Sequence, residues 1–415
     1  MIIKKLMARE IYNSRGWPTI QCEIIMEDGH SIVASVPTGL SRGSYEARTM
    51  HDGGERLWGR GALKAVETIE KVIAPELVGK PPHAINMDLQ LLELDGTPEK
   101  SHLGANVLLA VSMAVYRAHA YMENVSLFEF IGHVCSAESI TLPFPLFNMI
   151  NGGVHAQNEL YIQEFLVVPV ETDSFKQSME VGAVIFHELG KTLKLHGKEL
   201  VFGDEGGYAP HFTDDKEALD LISETIDNVQ ALYGFKALCA LDVAASRLYD
   251  PTINRYNFGS QMQSSHEVVA YYEKLANDYP ICSIEDGLAE DDWEGWKLLT
   301  ERLGSRVQIV GDDLFVTHTD RIAYGIEQKA ATAALIKPDQ IGTVTETLQA
   351  IELCKKHGLS TVISHRSGET EDTFIADLVV GTSAGQIKTG GLCRSERLAK
   401  YNRLLMIEDH LIRGL

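Results

Sequence analysis

Two periodicities divide the chain. Over the first ~45 residues, apolar and polar positions alternate in short runs such as TIQCEIIM and SIVASVP, separated by Asp28-Gly29. That alternation predicts strands joined by a tight turn. Helical spacing takes over in ALKAVETIEKVI near residue 62 and again between Gly104 and Met122. The second segment is the most apolar helix in the chain, but it carries Asn106, Ser112, Arg117 and His119. It therefore reads as a buried core helix rather than a membrane span. Strands first and helices after predict an N-terminal α+β unit over residues 1–137. The Pro-punctuated stretch ITLPFPLFNMINGG, starting at Ile140, marks the boundary with a second unit over 138–415.

Beyond that boundary, short apolar runs recur, each ending in a polar or charged residue and followed by a helical pattern. The run ends are Asp242, Glu285, Asp312, Lys337, His365 and Lys388. A strand, a helix and two loops need about that spacing, so this half predicts successive βα units closing into a β/α barrel. A doubly wound open sheet has the same rhythm. No GxGxxG or GxxxxGK[ST] opens any of the helices, which weighs against a nucleotide-binding sheet. In a barrel the six run-end residues converge on one mouth.

Charge narrows the function classes. Lys and Arg number 37 against 58 Asp and Glu, a formal net charge of -21. That balance disfavours nucleic acid and anionic membranes as partners. The six cysteines show no CxxC pair or zinc-ligand spacing and read as reduced thiols of a cytoplasmic protein. The opening MIIKKLMAREIY has no apolar run long enough for a signal peptide.

The run ends also suggest chemistry. Any single strand-end carboxylate serves equally well as a helix cap. Three in consecutive units, Asp242, Glu285 and Asp312, repel one another unless a hard divalent cation such as magnesium neutralises them. Lys337 and Lys388 end strands as well. A lysine near metal charge can have a lowered pKa and act as a general base. His365-Arg366-Ser367-Gly368 places donors beside a glycine turn, as a phosphate clamp would. In Gly203-Asp204-Glu205-Gly206-Gly207, flanking glycines allow one acid to project into a cleft. Acid–base groups, a metal site and an anion clamp suit proton abstraction next to a carboxylate with departure of a β-hydroxyl.

The motifs AREIYNSRG, NGGVHAQN, GDEGGYAP, IEDGLAEDDW, VGDDLFVT, VISHRSGETED, GQIKTG and CRSERLAKYN resemble those of the enolases (phosphopyruvate hydratases) from about Ala8 to His410. The resemblance implies a smaller N-terminal α+β domain and a C-terminal barrel of ββαα(βα)6 order. It implies two Mg2+ per active site, one held by Asp242, Glu285 and Asp312 and a second reached by Ser41 on a closing loop. It assigns the base to Lys337 and the acid to Glu205, with Glu164 beside it. Substrate contacts fall on His155, Gln163, His365, Arg366, Ser367 and Lys388. The implied reaction is dehydration of 2-phospho-D-glycerate to phosphoenolpyruvate, as in glycolysis, by a carbon–oxygen lyase.

Departures cluster on the substrate rim. The lid reads Thr38-Gly39-Leu40-Ser41-Arg42-Gly43 where the family has SGASTG, and Lys337-Pro338-Asp339-Gln340 replaces KxNQIG. Gln157, Arg247 and Gly391-Leu392 are further changes. Arg42 suits a paralogue whose phosphorylated or phosphonylated carboxylate substrate carries an additional anionic group, as in an enolase-like family that makes carboxyphosphonoenolpyruvate. A non-catalytic binding protein on the same scaffold is the third reading, which intact Lys337, Glu205 and metal carboxylates disfavour. A family interface ion pair falls on Gln21 and Met406, while Arg9 and Glu396 retain another, so a homodimer with one altered contact is expected.

Overall fold

The computed structural model describes residues 1–39, 42–259 and 261–414. Strands β1 (Ile3–Tyr12), β2 (Pro18–Met26) and β3 (Ser31–Ser35) form an antiparallel sheet. Gly29, at φ +90°, makes the turn between β2 and β3 that the Asp28-Gly29 pair predicts. The alternation along β2 buries Ile20, Cys22, Ile24 and Met26 completely. Those side chains pack under the helix Ala105–Glu123. That helix is apolar nearly all round because it also packs against Pro338–Ile341 and Val344–Lys356 on its far side. No helix of the described residues is long and apolar enough to cross a membrane.

The second half forms a closed eight-stranded barrel, so the open-sheet alternative falls. Its strands are β4 (Phe144–Asn151), β5 (Glu164–Val170) and β6 (Lys236–Asp242), then β10 (Ile281–Glu285), β11 (Gln308–Gly311), β12 (Ala333–Ile336), β13 (Ser360–Ser364) and β14 (Gly385–Lys388). Between β6 and β10, a small antiparallel sheet of β7 (Tyr249–Asp250), β8 (Arg255–Phe258) and β9 (Gln261–Gln263) lies outside the barrel. Strand β5 runs antiparallel to both neighbours, and every other barrel pairing is parallel. Helices Phe175–Leu195 and Asp215–Tyr233 both come after β5, which completes the ββαα(βα)6 order.

Reversal of β5 has a direct consequence. In a parallel barrel only strand ends reach the mouth, but here the start of β5 does. Glu164 therefore stands in register with Asp242 on one side and Asn151 on the other. Beneath this layer the barrel is filled by Leu146, Leu166, Val168 and Ala240 on one side and by Val310, Ala333, Leu335 and Val362 on the other. The mouth is thus polar over a dry apolar plug, and charges there are poorly screened.

Candidate active site

Each run-end residue singled out in the sequence reaches the mouth. Asp242 and Glu285 end adjacent strands in direct register, and Asp312 lies just past the end of the next. All three are buried. The Lys388 ammonium reaches across the barrel to donate to Asp242 at 3.0 Å, to Glu285 at 2.8 and 2.9 Å and to Glu164 at 3.3 Å. Burial works against that charge, but the surrounding carboxylates hold the Lys388 pKa well above its ordinary value. Burial and neighbouring Asp242 push Glu285 up to about 8.

Lys337 ion-pairs with Asp312. Burial lowers the lysine pKa, but Asp312 more than compensates and raises it above the usual range. The sequence-based expectation of a lowered value is therefore reversed in this state, because the ammonium has a carboxylate as its direct partner. Gln340 donates to the other oxygen of Asp312 at 2.9 Å.

The acid loop behaves as the glycines predict. Gly206, at φ +88°, turns the chain so that buried Glu205 faces inward. Its Oε2 accepts from Asn148 at 3.2 Å and lies 3.4 Å from His365 Nε2 and 3.5 Å from His155 Nδ1. Arg397 donates to His365 Nδ1 at 2.8 Å, which puts the ring proton of the neutral imidazole on Nε2, toward Glu205. Burial and Arg397 keep that ring neutral, with its pKa pushed down to about 4. Burial alone would raise Glu205, but His155, His365 and Arg397 hold it well below the ordinary value. Glu164 goes the other way, raised by burial and by the Glu205 charge. The two carboxyls are thus shifted in opposite directions, although Lys388 beside Glu164 works against its rise. Gln163 donates its backbone N–H to the Asp242 carbonyl at 2.8 Å, and its side chain lies 3.5 Å from that carboxylate.

The expected clamp is buried under the cap. Arg366 pairs with Glu46 at 3.1 and 3.2 Å and with Asp339 at 3.1 Å. Gly39 lies so close to the Arg366 guanidinium that a Cβ there would displace it from its present position. Thr38 and Gly368 exchange backbone hydrogen bonds of 2.8 and 2.9 Å, tying the lid base to the clamp loop. Ser367 lines the same mouth. Arg42 does not face into the mouth: its Nε donates to Glu46 at 3.1 Å and its terminal N–H to the Ala47 carbonyl at 3.0 Å. Ser41 lies outside the described residues.

Sequence reasoning passed over several participants. Asp286 accepts the backbone N–H groups of Asp312 and Asp313 at 2.8 and 2.9 Å, fixing the turn after β11. Asp286, Asp312 and Asp313 bring ligand oxygens within 4.8 Å of one another, and the ligand atoms of His155, Glu164 and Glu205 lie equally close together. The signal was present in the paired acids of IED and GDD, of which only one each was selected. Glu46 and Arg397 had no such signal, because their roles come from partners on other elements.

The donors fit a hard divalent cation. Asp242, Glu285 and Asp312 offer only oxygen donors and are buried against Lys388 and Lys337, while the acids whose oxygens come within 4.8 Å of one another are Asp286, Asp312 and Asp313. Side chains fill the mouth so fully that about 20 Å³ remains free.

A closed β/α barrel with one reversed strand, successive strand-end carboxylates and an α+β cap over the mouth define the class of this protein. Two family profiles match the chain: "Enolase, N-terminal domain" over residues 3–131 and "Enolase, C-terminal TIM barrel domain" over 139–414. The chain belongs to the enolase family, whose members are hydro-lyases of the enolase superfamily.

Proposed function

We propose that the protein dehydrates 2-phospho-D-glycerate to phosphoenolpyruvate with magnesium. The observation that carries this reading is the placement of Lys337 and the Glu164–Glu205 pair. Strands β5 and β12 stand four positions apart in either direction around the barrel. A base and a carboxyl pair therefore face each other across the mouth. Lys337, once its contact with Asp312 opens, takes the proton from C2. The carboxyl pair, which holds one proton, delivers it to the hydroxyl leaving C3 from the opposite face. His365, Arg366, Ser367 and Lys388 fix the anionic ends between them, and His155 packs against the acid. Two Mg2+, one on Asp242, Glu285 and Asp312, would stabilise the extra negative charge on the substrate carboxylate as the proton leaves.

The test is direct. The wild-type chain with 2-phosphoglycerate and Mg2+ should generate the ultraviolet absorbance of the enol product, and a chelator should abolish it. Lys337→Ala should lose C2–H exchange with solvent while Mg2+ binding persists. Exchange at the wild-type rate in that variant rules Lys337 out as the base.

The second reading, a substrate with an additional anionic group, is favoured by the arginine-lined cleft beside Arg366. The chain as a homodimer in the cytoplasm completes the proposal. A cleft of about 790 Å³ between cap and barrel, lined by Gln21, Arg117, Glu396 and Arg403, is the candidate contact. Arg9, expected to pair with Glu396, here pairs with Glu23 of its own chain. A monomer in sedimentation at micromolar concentration would count against the dimer.

A further inference from the structure

A cleft of about 270 Å³ opens between the cap and Asp339, the ion-pair partner of Arg366. Its walls include Arg15, Trp17, Thr38, Arg42, Arg60 and Asp339. Three guanidinium groups around one cleft is a costly arrangement even in a chain of net charge -21, because like charges repel at short range. Two of them are anchored from behind: Arg15 on Asp204 at 2.8 Å and Arg42 on Glu46 at 3.1 Å. Each guanidinium carries five N–H donors, so one carboxylate leaves others unspent. Arg60 has no carboxylate partner among the described residues, and its guanidinium lies 4.4 Å above the Trp17 ring. His51, also on the cleft, responds to this environment. Burial and then the Arg42 charge depress its pKa, against a hydrogen bond with the Arg60 backbone that works the other way.

The cleft adjoins the clamp. Gly39 is on its wall and in contact with Arg366, and Asp339 is both a wall residue and the partner of Arg366. Arg42 and Asp339 are two of the positions where the chain departs from the family pattern, and they border this one space. We propose that the cleft is a second anion site, in which Arg15, Arg42 and Arg60 bind a carboxylate or phosphoryl group.

Two sources have this chemistry: an extra acidic group on the phosphoryl end of the active-site substrate, or a free small oxyanion. The first rests on the dehydratase reading above, and the second does not.

Inorganic phosphate is the first probe, titrated calorimetrically into the magnesium-free chain at low ionic strength. Wild type should show a phosphate site that weakens at least ~10-fold in Arg60→Gln and persists in Ser367→Ala, which removes a hydroxyl from the mouth. Unchanged phosphate affinity in Arg60→Gln overturns the proposal, as does loss of all phosphate binding in Ser367→Ala. Circular dichroism melts of both variants control for folding. The second arm compares turnover of 2-phosphoglycerate with that of a derivative bearing a carboxylate on its phosphorus. An increase in KM in Arg60→Gln for the derivative alone assigns the cleft to the substrate. Unchanged KM for both, with phosphate binding weakened, assigns it to a free anion. If wild type turns over neither compound but still binds phosphate in the Arg60-dependent site, the dehydratase reading fails and the anion site stands.

Discussion

Glu164 and Glu205 show how identical side chains acquire different pKa values from their surroundings. Glu205 receives a hydrogen bond from Asn148 and faces His155 and His365, the latter backed by Arg397, so its pKa is held well below the ordinary value. Glu164, equally buried, has the Glu205 charge as a neighbour and its pKa is raised, more than the nearby Lys388 ammonium offsets. In the proposed dehydration this pair supplies the proton that accompanies the departing hydroxide. Glu164→Gln and Glu205→Gln should each keep C2–H exchange and lose dehydration by at least ~10²-fold. Exchange can be measured by deuterium incorporation at C2 in the recovered substrate. Ordinary turnover in either variant removes that residue from the proton path.

At the scale of elements, the site depends on the first residues after each barrel strand. Strand β10 ends at Glu285, and the next residue, Asp286, adopts a left-handed conformation at φ +44°. Its carboxylate then caps two backbone N–H groups at the end of β11 and orients Asp312. An asparagine there keeps the size but loses one of the two acceptor oxygens. Asp286→Asn should therefore raise the Mg2+ concentration for half-activation by ~10–100-fold, the range for lost support of a metal ligand. Magnesium titration of activity measures it, with an unchanged melt confirming the fold. An unaltered midpoint would mean that Asp286 does not orient the ligand. The small helix Pro338–Ile341 acts similarly from β12, since it delivers Gln340 to Asp312 and Asp339 to Arg366.

For the whole molecule, the cap must be held in place over the mouth. Asp372, in the loop after β13, accepts from Arg117 of the long cap helix at 2.7 Å twice and from the Ser35 N–H of β3 at 2.9 Å. Burial opposes its charge, but Arg117 holds the pKa below the ordinary value. Removing one partner of such a buried pair costs about 3 kcal/mol, so Asp372→Asn should lose about that much in urea unfolding at pH 7. A depressed folded-state pKa means the pair contributes fully above the unfolded carboxylate value near ~3.9 and fades as pH falls through the lower folded value. The gap between wild type and variant should close below about pH 4. A gap that stays constant with pH would assign the loss to packing instead of charge.

The strand-end chemistry was legible along the chain because a β/α unit repeats. Each apolar run terminates at the mouth, so Asp242, Glu285, Asp312, Lys337, His365 and Lys388 could be selected from position alone. The cap sheet and its buried helix were legible from alternation and from an apolar segment interrupted by Arg117 and His119. What the chain could not disclose locally depends on closure. The reversal of β5 turns Glu164, the first residue of its strand, into a mouth residue, and only pairing with β4 and β6 creates that reversal. The Lys337–Asp312 contact, the opposite pKa shifts of Glu164 and Glu205, and the pairing of Arg366 with Glu46 and Asp339 arise between groups on separate elements. Sequence pattern determined which side chains reach the mouth, because period and strand length are local. The tertiary structure decided their charge states and partners, because these depend on burial and on distances that no local pattern encodes.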